Sequence, residues 1–312
     1  MPQHLISLIH ITKGHDNLMA TPVDLAFKQF LETISITDNQ RDTFIPNRYT
    51  RISEILTDAF DEESDMPFWF REPMGSASKG TITRPVDDID VLAVFSDKSN
   101  IYENDYYDNS FKFLYRVRKA FDKIHTQDVG ARGQAIRIFF KTGGHVDVAP
   151  VFQRQDNVFL LPAGDGTWIS TNPPKANEWL NQKDILLEGN LKPLVRMLKR
   201  WNSAHSKRLS SFHLETMVAS IFASMSPIPI LALIFFFENA EQYVDVSDPG
   251  GESGLLSSYL DNTNNLRAEV VASFNRAANL CKKALHAEVE EDYAEALRLL
   301  KIVFGEDFPQ KQ

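Results

Sequence analysis

An α+β fold is predicted, with a first lobe of mixed sheet and helices over residues 1–172, a helical lobe over residues 173–312, and a cleft between them. Three observations predict it. Short apolar strand patterns with glycine turns recur between Phe68 and Ser170. The run Thr171-Asn172-Pro173-Pro174 then breaks the chain. From Ala176 onward the apolar periodicity is almost wholly helical.

In order along the chain, Thr21–Phe30 and Asn47–Phe60 have helical spacing, the second through Tyr49, Ile52, Ile55, Leu56 and Phe60. Phe68–Glu72 reads as a strand entering a glycine turn at Gly75-Ser76, and Val91–Phe95 as an apolar, central strand. Phe111–Ile124 is expected to be a helix whose polar face, with Lys112, Arg116, Arg118 and Lys119, is solvated. Ala135–Phe140 and Val146–Phe152 form a hairpin through Thr142-Gly143-Gly144, and Val158–Leu161 and Thr167–Ser170 a smaller one. Helices are expected near 176–187, 189–205, 211–225, 229–243, 264–287 and 289–303. Leu191, Leu194, Val195, Leu198 and Trp201 make one apolar stripe. Helices from both ends of the chain are free to pack across the lobe boundary.

A net charge of −9 argues against coating extended nucleic acid, because neutralisation of phosphates drives that binding. It leaves free nucleotides open as ligands. The single Cys281 excludes an internal disulfide and fits a reducing cytoplasm as a half-buried helix residue. Met1–Met19 lacks the apolar core of a secretory signal, and the run Ile228–Phe237 is shorter than the ~20 residues that cross a bilayer. A cytoplasmic protein without a membrane segment is expected.

The chemistry concentrates in Asp88-Ile89-Asp90, at the head of the apolar strand. Residues i and i+2 of a strand share a face, so both carboxylates aim at one place. Asp147, between Val146 and Val148, faces away from these two and is costly to bury unless neutralised. Asp87 faces the other way, and His145 reads as a turn residue. Three carboxylates on neighbouring strands suit two Mg²⁺ ions, with Mn²⁺ as a substitute, in phosphoryl transfer. Asp88 and Asp90 would bridge the ions, and Asp147 would help hold the one beside an attacking ribose hydroxyl. Gly75 admits backbone close to phosphate, and Ser76 offers a hydroxyl and an N–H.

The Gly-Ser turn, the Asp-x-Asp pair, the third acid and the helical second lobe resemble the DNA polymerase β-type nucleotidyltransferase superfamily. Within it the chain is most similar to the bacterial cyclic GMP–AMP synthase/DncV-like nucleotidyltransferases. Leu194–Asn202, Ser211-Phe212-His213-Leu214-Glu215 and the Asp-Pro loop Val244–Gly250 extend the resemblance, which covers roughly residues 68–260. It implies a polymerase β-like catalytic lobe and contacts of Lys199 and Ser211 with the donor triphosphate, with Phe212 stacked on a base. Read from the residues alone, Lys199 is equally a solvated lysine, Ser211 or Ser210 an N-cap, Phe212 a core residue, and Glu215 a capping partner. Lys79, in the turn, is either a phosphate contact or a free lysine.

The resemblance implies a template-independent enzyme that joins nucleoside triphosphates into a cyclic di- or trinucleotide messenger for anti-phage signalling and releases pyrophosphate. It implies operon-encoded regulators and a downstream effector as partners. The alternatives are linear oligonucleotide synthesis, nucleotide addition to RNA or protein, and an inactive nucleotide-binding relative. Retention of all three acids weighs against the last.

Overall fold

The computed structural model describes residues 20–122, 128–154, 157–262 and 265–310. The N-terminal stretch read for a signal lies outside them, as does the end of the helix expected to reach Ile124. Two helices open the described chain, α1 (Pro22–Ile34) and α2 (Ile45–Ala59). Thr21 caps α1 by accepting from the Asp24 amide, and the Asp24 carboxylate accepts from the Thr21 amide.

The sheet comprises β1 (Phe68–Met74), β2 (Asp88–Phe95), β3 (Asp128–Arg132), β4 (Ala135–Phe139), β5 (His145–Gln153), β6 (Phe159–Pro162) and β7 (Trp168–Thr171). Its order is β1-β2-β5-β4-β3, with β6 paired to the end of β5 and β7 to β6. Among the described strands only β2 and β5 run parallel, and both expected hairpins form as antiparallel pairs. The strand β3 was not foreseen. Its sequence, Asp-Val-Gly-Ala-Arg, carries no alternation, and pairing with β4 defines it.

Strand alternation divides the core. Ile89, Val91, Ala93 and Phe95 of β2 meet Val146 and Val148 of β5 on one face, under α2 and the helix α4 (Ser110–Lys119). Leu92, Val94, Ala149 and Val151 face the other way into a smaller apolar cluster. Asp88, Asp90 and Asp147 share that thinner side by the same period of two. On α4, Arg116 is tied to Asp65 and Tyr106, so the basic face expected to be solvated is partly spent on fixed pairs.

The helical lobe holds α5 (Pro173–Leu186), α6 (Leu191–Ala204), α7 (Ser211–Ile221), α8 (Pro229–Asn239), α9 (Ser258–Asp261), α10 (Leu266–Val289) and α11 (Tyr293–Phe304). The apolar α8 is largely buried, and no described helix is long and apolar enough to cross a membrane. The N-terminal α1 belongs to this lobe's core: Phe27 and Phe30 pack on Phe304 and Phe308 with ring centroids 4.8–6.3 Å apart. Helices from the two ends of the chain therefore close over one another. Cys281 is fully buried rather than half-buried, and desolvation pushes its thiol up to about 12.

Candidate active site

Asp88 and Asp90 stand at the head of β2, and the β2–β5 register places Asp90 directly beside Asp147 and Asp88 beside His145. The Tyr49 hydroxyl donates to the Asp90 carbonyl at 3.2 Å, tying β2 to α2. The short helix α3 (Gly75–Ser78) follows β1 and crosses above Asp90. Gly75 has φ +70°, and a Cβ there would meet Asp90 Oδ2 at 2.1 Å. Ser76 is half-buried on the same turn. At the other rim, Gly144 comes so close to the Val86 carbonyl that a Cβ would stand 2.9 Å from it. The Gly143-Gly144 pair is thus turn chemistry, as its sequence suggested.

The Asp90 carboxyl is pushed up to about 7, first by burial and then by Asp88 and Asp147, against the pull of Lys79 and Lys199. Hard oxygen donors crowded until one resists ionisation suit a divalent cation, which removes that penalty. The residues therefore fit the ion the sequence suggested. Asp147, however, is engaged: Arg137, opposite it on β4, donates from Nε to Oδ1 at 2.8 Å and from Nη2 to Oδ2 at 2.6 Å. Among the described residues no group of three or more His, Cys, Asp or Glu side chains is gathered to hold a metal ion. A cleft of about 460 Å³, lined by Met74, Asp90, Gln134, Ala135, Asp147 and Leu161 among others, opens beside the acids.

The second lobe supplies a buried charge network. Glu215 on α7 takes an ion pair from Lys79 at 3.0 Å and one from Lys199 at 2.5 Å, and accepts from the Thr81 hydroxyl. Lys199 also donates to the Thr81 carbonyl at 3.2 Å. Burial alone would raise Glu215, but the two ammonium groups outweigh it and hold the carboxyl down at about 2. Lys199 is neither solvated nor snorkelling; it is a buried ion-pair partner at 8% exposure. Lys79 is likewise no free loop lysine, and its Nζ lies 4.1 Å from the centre of the Phe212 ring. Phe212 is half-buried with one face occupied, so a base has only its other face to stack on.

Ser210, not Ser211, caps α7: its hydroxyl accepts from the His213 amide. Ser211 is exposed beside it, its hydroxyl released from capping. Glu215 caps nothing. His213 is buried, donates from Nε2 to the Val244 carbonyl at 2.7 Å and so anchors the start of the Asp-Pro loop. In that loop Asp248 is spent on the amides of Gly250 and Ser253. Further bonds across the lobes, Asn177 to Ser78 and Arg196 to the Gly80 carbonyl, make residues 78–81 the joint between them.

Sequence reasoning missed Arg137 and the Lys79–Glu215 pairing. The period of β4 was a usable signal for Arg137, since Ile136 and Ile138 face the core and leave it on the acids' side.

A glycine turn over paired carboxylates, in a sheet of this order, with a helical lobe bonded to the turn, defines a nucleotidyltransferase of the polymerase β type. Comparison with known proteins bears this out. Residues 20–184 match the SMODS family (Second Messenger Oligonucleotide or Dinucleotide Synthetase domain), and the chain belongs to it. It is 24% identical to a probable cyclic nucleotide synthase of Bacillus cereus, over 96% of this chain and 98% of that protein. A cyclic AMP-AMP-AMP synthase of Acinetobacter is also 24% identical, over 95% and 88%. The fold matches Escherichia coli CdnC solved with HORMA-deltaN, with TM-score 0.73 at 19% identity, covering 91% of this chain and 98% of that one. Vibrio cholerae DncV solved with the linear intermediate pppA(3′,5′)pG gives TM-score 0.72 at 14% identity, covering 91% and 96%.

Proposed function

We propose that this enzyme joins nucleoside triphosphates into a cyclic di- or trinucleotide messenger. The observation that carries the reading is the placement of Asp88, Asp90 and Asp147 on one side of the paired strands β2 and β5, with Gly75 against Asp90 and with Lys79 and Lys199 at the joint of the lobes. A ribose hydroxyl oxygen of one nucleotide forms the new bond to the α-phosphorus of another. The α–β phosphoanhydride bond breaks, pyrophosphate leaves and the hydroxyl proton passes to solvent. Repetition within one chain closes the ring.

Asp88, Asp90 and Asp147 would hold Mg²⁺, or Mn²⁺ in its place, which when bound supplies charge neutralisation and Lewis acidity at phosphate. The chain's own groups bind and orient. Gly75 and Ser76 present backbone and hydroxyl to the triphosphate, and the exposed Ser211 adds a second hydroxyl. Lys199 and Lys79 put two ammonium groups against one carboxylate, a surplus of positive charge at the joint that would favour a triphosphate bound nearby. Relatives bearing the name CBASS oligonucleotide cyclase, and one solved with a HORMA protein, support a place in anti-phage signalling with an accessory regulator.

The test is incubation with ATP, GTP, CTP and UTP plus Mg²⁺ or Mn²⁺, followed by phosphatase treatment and mass spectrometry. A phosphatase-resistant cyclic product, lost in Asp90→Asn with the fold intact, is expected. Linear products alone would replace cyclisation with oligonucleotide synthesis or end addition, and undiminished product from the variant would remove the acids from the chemistry.

A further inference from the structure

We propose that Arg137 is a positioning residue that competes with the cation for Asp147, so that the third carboxylate is loaded only when the guanidinium is displaced. The proposal rests on the metal-dependent reading above.

Arg137 and Asp147 are direct cross-strand partners on β4 and β5, with side chains on the cleft side of the sheet. The guanidinium fork uses both carboxylate oxygens, at 2.8 and 2.6 Å, the bidentate geometry that takes two of the carboxylate's roughly four lone-pair sites and sets a positive charge against it. A cation held bidentately by Asp147 would need the same two sites, and any cation there would meet the guanidinium charge. The His145 imidazole also comes near, its Nε2 3.8 Å from Oδ2 and without a hydrogen-bond partner among the described residues. Among the described residues Asp88 and Asp90 have no comparable arginine, and the ammonium groups that act on Asp90, Lys79 and Lys199, are held by Glu215.

The three acids therefore differ in readiness. Among the described residues no arginine holds Asp88 or Asp90, whereas a cation at Asp147 meets a carboxylate already held by two charge-assisted hydrogen bonds. In the cation-free enzyme, the same pair offsets the negative charge of Asp147 beside the other two acids. Side-chain exposures of 28% for Arg137 and 18% for Asp147 leave the guanidinium room to turn out into the cleft.

The test is titration of Mn²⁺, without nucleotide, into the wild type, Arg137→Gln and Arg137→Lys, with free Mn²⁺ read by electron paramagnetic resonance and thermal melts alongside. Arg137→Gln is expected to tighten Mn²⁺ binding roughly tenfold, the worth of about 1.4 kcal/mol. The gain should vanish in the double variant with Asp147→Asn. Arg137→Lys should fall between, since one ammonium cannot match two oxygens, and it keeps a positive charge there should the glutamine variant not fold. Binding to the wild type with no change in either variant would overturn the competition and leave the metal reading standing. No Mn²⁺ bound by any of the proteins would overturn both.

Discussion

A methyl group placed on Gly75 would stand 2.1 Å from Oδ2 of Asp90 and 2.9 Å from its Cγ. The contact is with the carboxylate itself, and Gly75 also holds φ +70°, which costs an L-residue about 1–2 kcal/mol. Gly75→Ala therefore has to move either the turn or the acid. The expected result is a turnover at least ~10²-fold lower, the cost of about 1 Å of misplacement. Overpacking should add a loss of stability of about 1–3 kcal/mol, seen in denaturant melts. Normal turnover in a stable Gly75→Ala protein would show that the turn does not seat Asp90.

Much of this site is legible in local sequence because its logic is local. Two acids at i and i+2 on an apolar strand have to converge, whatever the rest of the chain does. The cost of burying Asp147 between two valines likewise follows from its immediate neighbours. What was not legible depends on register and long-range packing. Glu215 meets Lys79 across 136 positions, and nothing in either segment marks the other as its partner. Arg137 opposes Asp147 only because the hairpin turn sets that register. The packing of Phe30 on Phe308 is a similar case, since each lies in a pattern that suits any apolar core.

Cys281 lies fully buried in α10 with its thiol raised to about 12 by desolvation. The thiolate is the reactive species, so the folded protein should give no detectable reaction with a disulfide reagent at pH 8 over minutes. Unfolding in urea should release the chain's single thiol at once. Fast labelling of the native enzyme would show that the helical core opens on that timescale.

Glu215 is the counter-charge for two lysines in a buried setting, so removing its charge strands both. Glu215→Gln should destabilise by about 3–5 kcal/mol, the range for breaking a buried pair from one side. The pH dependence has a definite sign. A carboxyl held down at about 2 contributes its full stabilisation above the ordinary 4.5, and that contribution is lost as pH falls from 4.5 through 2. Acid unfolding followed by circular dichroism should show the wild type losing more stability than the variant across that interval. Parallel curves would mean that Glu215 is not the group that titrates there.

Ser210 and Ser211 divide two tasks that sequence alone leaves interchangeable. The Ser210 hydroxyl accepts from the His213 amide and so satisfies one of the free donors at the start of α7. Its loss in Ser210→Ala should cost about 0.5–2 kcal/mol, as cap removal does. Ser211 is exposed at the first helical position and holds no cap, so Ser211→Ala should leave stability within about 0.5 kcal/mol of wild type. If its hydroxyl contacts the triphosphate, Ser211→Ala should instead raise KM for nucleotide. Melting curves and steady-state kinetics on the two variants separate the tasks. A Ser211→Ala protein with both its melt and its KM unchanged would remove that residue from the nucleotide site. A shifted KM on an unshifted melt would place the hydroxyl against substrate, because a merely structural serine moves the two together.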